Sequence, residues 1–161
     1  MASFDIVSKI NMQEVENGIN QAQKELTNRY DFRGSNSEIT WDKKAISFKA
    51  PDDYKMGALK DIIQSKLHHR GIDISSLDFS KIEHVGGMMM KQNVTLKQGI
   101  DRETAKKIAS AIRDSKIKVQ TQINDDKLTV NYKSIDSLQE CMAFIKSQNF
   151  GQPLQFENMR S

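Results

Sequence analysis

Apolar residues along this chain recur at two spacings. Met12, Val15, Ile19, Ala22 and Leu26 step by three and four, which puts all five on one face of a helix. Asn11 stands just before that stripe with Glu14 three residues on, the pattern of a capping box. Three more stripes follow: Met56, Leu59, Ile63 and Leu67 behind a cap at Asp52 or Asp53; Ala105, Ile108, Ala109 and Ile112 behind Asp101; and Leu138, Cys141, Met142 and Ile145. Elsewhere the period is two, the period of a strand with one buried face. Phe4 and Ile6, Ile39 and Trp41, Ile46 and Phe48, and Val94 and Leu96 alternate in this way. So do Ile117, Val119, Thr121 and Ile123; Leu128, Val130 and Tyr132; and Leu154 and Phe156, with a weaker strand expected within 74–85. The order of elements is βαββαβ, twice, which predicts an α+β protein built of two ferredoxin-like sandwich domains.

The repeat holds residue by residue. Ile46, Phe48, Met56, Leu59 and Ile63 correspond to Leu128, Val130, Leu138, Cys141 and Ile145, each 82 positions later. Phe4, Ile6, Ile10, Val15 and Ile19 correspond to Val94, Leu96, Ile100, Ala105 and Ala109, each 90 positions later. The two offsets differ by eight, so the first half carries about eight additional residues between its first helix and second strand. That is where NRYDFRGSN, residues 28–36, lies. A loop foreign to the repeat is not needed for the fold, which points its arginines and aromatics at a ligand; a first helix longer by two turns is the other reading.

Composition narrows the class. The chain has 161 residues, 37% of them hydrophobic and 28% charged, enough for one ordinary domain or two very small ones. No run of residues is apolar enough to span a bilayer, and MASFDIVSKI lacks the basic and apolar regions of a secretory signal. A single cysteine, Cys141, excludes an internal disulfide and suggests a reducing compartment, so a cytoplasmic location is expected. Charge is uneven: residues 1–87 hold 12 Lys and Arg against 13 Asp and Glu, whereas residues 88–161 hold 12 against 8. A phosphate-bearing partner for the second half fits that asymmetry, as does ordinary surface variation.

No constellation of catalytic residues stands out, and no enzymatic activity or cofactor is expected. Cys141 lies on an apolar stripe, where a packed thiol is the ordinary case. His68 and His69 are neighbours, so on a helix they diverge and cannot share a metal as residues four apart would; His84 is isolated. Neither a P-loop nor a dinucleotide-binding glycine pattern is present, and Gly86-Gly87 alone reads as a turn. Asp125-Asp126 suits a hairpin turn. Met88, Met89 and Met90 suit a buried or bridging strand more than an adaptable binding surface.

The second-half strands are more informative. If Val119, Thr121, Leu128 and Val130 face the helices, then Lys118, Gln120, Thr129, Asn131 and Lys133 share the opposite face, with Lys116 at its edge. Such a face can hold phosphates and polar base edges, though it lacks the stacking aromatics of RNA-recognition domains; a merely solvated sheet face is the other reading. Arg29, Tyr30, Phe32 and Arg33 of the added loop supply what it lacks: rings to stack a base, and guanidinium forks for phosphate or a guanine edge.

Several segments resemble the YajQ family of small bacterial proteins: SFDIVSKI at 3–10, RYDFRG at 29–34, LKQGID at 96–101, TAKKI at 104–108, IRDSKIKVQTQI at 112–123 and GQPLQFENMR at 151–160. The resemblance covers nearly the whole chain. It implies two ferredoxin-like domains that exchange their N-terminal strands: residues 9–98, with a strand at about 91–98, and residues 1–8 plus 99–161. It also implies binding of purine nucleotides such as GTP or ATP, or of RNA such as tRNA, without catalysis, and it adds Lys97 and Gln98 to the candidate contacts. The alternative is a cyclic-dinucleotide sensor that regulates a protein or DNA partner. One departure is local: Met88, Met89 and Met90 stand where the family often carries a lysine and further polar or aromatic residues.

Overall fold

The computed structural model describes residues 2–160. It is a mixed α+β structure of four α-helices and two antiparallel sheets. The strands are β1 (Ala2–Val7), β2 (Glu38–Trp41), β3 (Ala45–Ala50), β4 (Leu77–Phe79), β5 (Glu83–Val85), β6 (Met89–Leu96), β7 (Val119–Asn124), β8 (Lys127–Tyr132) and β9 (Gln155–Arg160). The helices are α1 (Met12–Asn28), α2 (Asp53–His69), α3 (Arg102–Asp114) and α4 (Ile135–Ser147). The chain divides into two compact units, Ile10–Lys97 and Met1–Lys9 with Gln98–Ser161, called the first and second unit below.

Local chemistry starts every helix. Asn11 accepts hydrogen bonds from the backbone N–H groups of Gln13 and Glu14 at 3.1 and 3.3 Å. Asp52 accepts from Lys55 N–H at 2.8 Å, Asp101 from Thr104 N–H at 2.7 Å and Ser134 from Ser137 N–H at 3.2 Å. Each satisfies a donor that the first turn leaves open. Glu14 does not close the expected box. Its carboxylate accepts from Asn17 and from Arg70, whose Nε lies 2.8 Å away, so it ties the start of α1 to the end of α2. A charged partner across two helices is the stronger competitor for that carboxylate.

In the first unit the sheet order is β2-β3-β6-β4, with β5 also paired to β6. The weak strand expected within 74–85 is therefore two short ones. Val15, Ile19, Ala22, Met56, Leu59, Ile63 and Leu67 pack on Ile39, Ile46, Phe48 and Val94. Gly18 permits the close approach of the two helices, since a Cβ there would lie 2.8 Å from Leu67 Cδ2.

In the second unit the order is β7-β8-β1-β9. β1 is central: Phe4 lies opposite Val130, and Ile6 lies opposite Leu128 on one side and Phe156 on the other. Phe4, Ile6, Ala105, Ile108, Ile112, Leu128, Val130, Leu138, Cys141 and Ile145 form this core. Full burial of a Leu, Ile or Phe contributes roughly 1.5–3 kcal/mol, so slipping any of these strands by one residue would forfeit several such contributions.

The additional residues of the first half are shared between helix and loop. α1 has 17 residues against 13 in α3, so it is four longer. The remainder forms a 3-10 turn at Tyr30–Phe32 and a return in which Gly34 and Asn36 take positive φ of 74° and 57°. Met89 and Met90 are half-buried in β6, while Met88 is exposed in the turn before it with φ of 60°.

Candidate functional site

The open face of the second sheet is built by alternation. With Val119, Val130 and Leu128 turned to the helices, Gln120 and Asn131 sit directly opposite each other across β7 and β8, and Lys118 and Lys133 flank them. Lys118, Val119, Gln120, Asn131 and Lys133 line an open pocket of about 340 Å³. Neither lysine pairs with a carboxylate among the described residues.

The basic surface is narrower than the alternation predicts. Thr129 is buried, as are Ser3 and Asp5 beside it on β1. Asp5 is 0% exposed and accepts hydrogen bonds from Thr129 at 2.8 Å and Asn158 at 2.9 Å, with Lys127 and Arg160 at 3.5 and 3.6 Å. Burial pushes its carboxyl pKa up; the bonds from Asn158 and Thr129 and the charge of Lys127 outweigh that and hold it below the ordinary value. Asp5 therefore has its own cations, which leaves the charge of Lys118 and Lys133 uncompensated at the β7–β8 end. The first unit differs. Lys49 pairs with Glu38 at 3.6 Å, and Lys91 lies opposite Glu83 in the ladder.

Lys116 takes a positive φ of 63° in the turn between α3 and β7. It lines a second groove, of about 480 Å³, with Arg113 at the end of α3, while Val119 and Gln120 border both spaces. Asn131 is legible in the sequence as sharing a face with Gln120, and the register sets the two opposite each other. Arg113 is not, because its place in a helix gives no sign that it reaches the sheet edge.

The loop residues divide. Phe32, expected as a stacking ring, is 5% exposed and belongs to the core of the first unit, with the Arg29 guanidinium 5.2 Å above it. Arg29 donates two hydrogen bonds to Asp31, at 3.0 and 2.8 Å. Those bonds raise the Arg29 pKa and hold the Asp31 carboxyl low, and they occupy one edge of the fork. Tyr30, by contrast, is 81% exposed, and the Arg33 guanidinium lies 5.4 Å from its ring centre, within cation–π range. Gln98 is exposed just beyond β6, and the backbone N–H of Lys97 donates to Ser76 at 2.8 Å.

Cys141 is buried, and burial raises its thiol pKa to about 11, far from a nucleophile at neutral pH. Among the described residues, no group of three or more His, Cys, Asp or Glu is placed to hold a metal ion. No helix among them is long and apolar enough to cross a membrane.

Fold and site together define a small α+β protein with a compact cationic pocket, bearing two amide side chains, on the open face of one sheet. A family model described as nucleotide-binding protein YajQ-like matches residues 2–160. A nucleotide-binding protein of Bdellovibrio bacteriovorus is 59% identical over 161 residues, the whole of both chains. Nucleotide-binding proteins of Trichlorobacter lovleyi and Magnetococcus marinus are 49% and 48% identical over 160 residues, 99% of each chain. The chain belongs to the YajQ-like family.

Proposed function

We propose that this protein binds a purine nucleotide, free or within RNA, on the open face of the second sheet, and that it acts by recognition and not by bond making. The observation that carries this reading is the pocket of about 340 Å³ in which two uncompensated lysines flank two opposed amides. Its volume falls within the range that small-molecule sites occupy. Lys118 and Lys133 take the phosphates. Gln120 and Asn131 offer donors and acceptors to the base edge, as amides do when they read purines. The names of the relatives support the ligand class. Each unit has further RNA contacts of its own: in the first, Tyr30 stacks a base and Arg33 and Lys97 take phosphates; in the second, Gln98 and Lys116 add polar or charged contacts. Arg29 and Phe32 support that loop from beneath.

The pairing of β1 with β8 and β9, and of β6 with β3 and β4, supports reading the molecule as two ferredoxin-like domains with exchanged first strands. A single, buried thiol suits a reducing, cytoplasmic setting.

Calorimetric titration with GTP, ATP, a cyclic dinucleotide and a single-stranded RNA, at several salt concentrations, tests the reading. At least one should bind, and Lys118→Ala/Lys133→Ala should weaken it. For RNA the salt slope should flatten by roughly 0.7 for each phosphate that the variant no longer neutralises. Unchanged affinity and slope in the folded double variant would remove the site from this face.

A further inference from the structure

The two halves of the chain treat one structural position differently. In the first unit, the seam between α1 and β2 is closed by the chain itself. Gln23 of α1 donates its side-chain amide to the backbone carbonyl of Ile39 in β2 at 2.8 Å. The additional segment that follows α1 buries Phe32 in the same core and supplies Asp31 to Arg29. In the second unit, Arg113 stands 90 positions after Gln23 and Thr121 stands 82 after Ile39, so they are the repeat's counterparts. There the helix is four residues shorter, and no such segment follows. A groove of about 480 Å³ lies at this seam, with Ala109, Ile112, Ile117 and Val119 as its apolar lining and Arg113 and Lys116 as its cations.

Among the described residues, the strand beside this groove has a strand partner on one side only. β7 is the last strand of the order β7-β8-β1-β9, and its register with β8 runs without a break from Val119 to Asn124. The opposite edge, β9, is interrupted by a bulge, with Asn158 at a positive φ of 57°. Bulges are a common means of keeping an edge from pairing with another chain, and β7 has none. Charge selects the partner. Between residues 104 and 124 the sequence carries five Lys and Arg and a single carboxylate, Asp114. Arg113, Lys116 and Lys118 form no ion pair among the described residues.

We propose that the α3–β7 seam docks a short extended segment of a partner protein, acidic and carrying one aromatic or large apolar anchor. The segment adds a strand to β7, its anchor enters the groove as Phe32 enters the first core, and its carboxylates meet Arg113, Lys116 and Lys118. Main-chain pairing supplies affinity and the pocket supplies specificity, as in other strand-addition interfaces. The segment is not this chain's own loop, since RYDFRG carries two arginines against one aspartate.

A random peptide display library panned on the full chain tests this. The strongest peptide is then synthesised and followed by amide NMR. Acidic sequences with one aromatic should be enriched. Amide shifts should fall on β7 and the last turn of α3, and Arg113→Glu/Lys116→Glu should weaken binding by about tenfold or more while the thermal melt stays near that of the parent. Absence of enrichment, enrichment of neutral or basic peptides, shifts confined to Asn131 and Lys133, or unchanged affinity in the double variant would each overturn the proposal. Arg113 lies outside the 340 Å³ pocket and is not among the nucleotide contacts proposed above, so nucleotide titration of Arg113→Glu alone reports on the nucleotide reading separately.

Discussion

Phe32 and Tyr30 sit two residues apart and have opposite environments. Phe32→Ala should cost about 3–5 kcal/mol of stability, the usual range for a truncated core phenylalanine. Tyr30→Ala should change stability by no more than about 0.5 kcal/mol, as at an open surface, yet weaken binding of a single-stranded RNA by about 1–3 kcal/mol if its ring stacks a base. Urea melts and RNA titrations of both variants check this; a stable Phe32→Ala protein would contradict the buried placement. Asp5 gives a prediction in pH. Its folded pKa is depressed, so its contribution to stability is complete above the unfolded carboxylate value of about 3.9 and is lost as pH falls through the lower folded value. Asp5→Asn should lower stability at neutral pH by about 1–3 kcal/mol. It should also remove part of the acid sensitivity, so the difference between variant and parent shrinks in melts taken at falling pH. A constant difference would argue against the ionised, bonded carboxylate. The sequence showed these residue types in the right segments but not their exposure. An aromatic in a basic loop reads the same whether its ring turns outward or plugs a core, and only tertiary packing separates the two.

At the scale of elements, the helices were the most legible part. Caps at Asn11, at Asp52 or its neighbour Asp53, and at Asp101, and stripes at spacings of three and four, are local, so they survive reading one residue at a time. The hairpin at Asp125-Asp126 was legible for the same reason, and Asp125 takes the positive φ of 49° that such a turn uses. The role of Glu14 was not legible, because its partner, Arg70, is 56 residues away. Alternation puts Thr129 on an open face because it gives the side of a sheet and says nothing of what converges on it. The same limit applies to strand pairing, which periodicity does not reveal. Deleting residues 2–9 tests the pairing described here. It removes the strand between β8 and β9, so the second unit should lose its cooperative fold, while the first keeps every strand of its sheet. The single tryptophan, Trp41, lies in β2 of the first unit, and its fluorescence should still report a cooperative urea transition. Persistent amide protection in β8 and β9 would contradict the central position of β1.

At the scale of the molecule, the sequence duplication supplies the frame, and departures from it set the two units apart. The first unit spends its extra residues closing its own seam, and its face pairs Lys49 with Glu38 and sets Lys91 opposite Glu83. The second leaves its seam open and gathers uncompensated charge at one end of its sheet. That asymmetry was partly visible in the uneven charge of the two halves and in the alternation that names Lys118, Gln120, Asn131 and Lys133; the burial of Thr129 and the hold of Asp5 on Lys127 and Arg160 were not, because they depend on tertiary packing. The central claim is that this patch is the nucleotide site, and the most direct measurement is an amide NMR titration of the intact chain with GTP and with ATP. Saturable shifts centred on Lys118, Gln120, Asn131 and Lys133 are expected. Shifts centred on other residues, or none at saturating nucleotide, would contradict it.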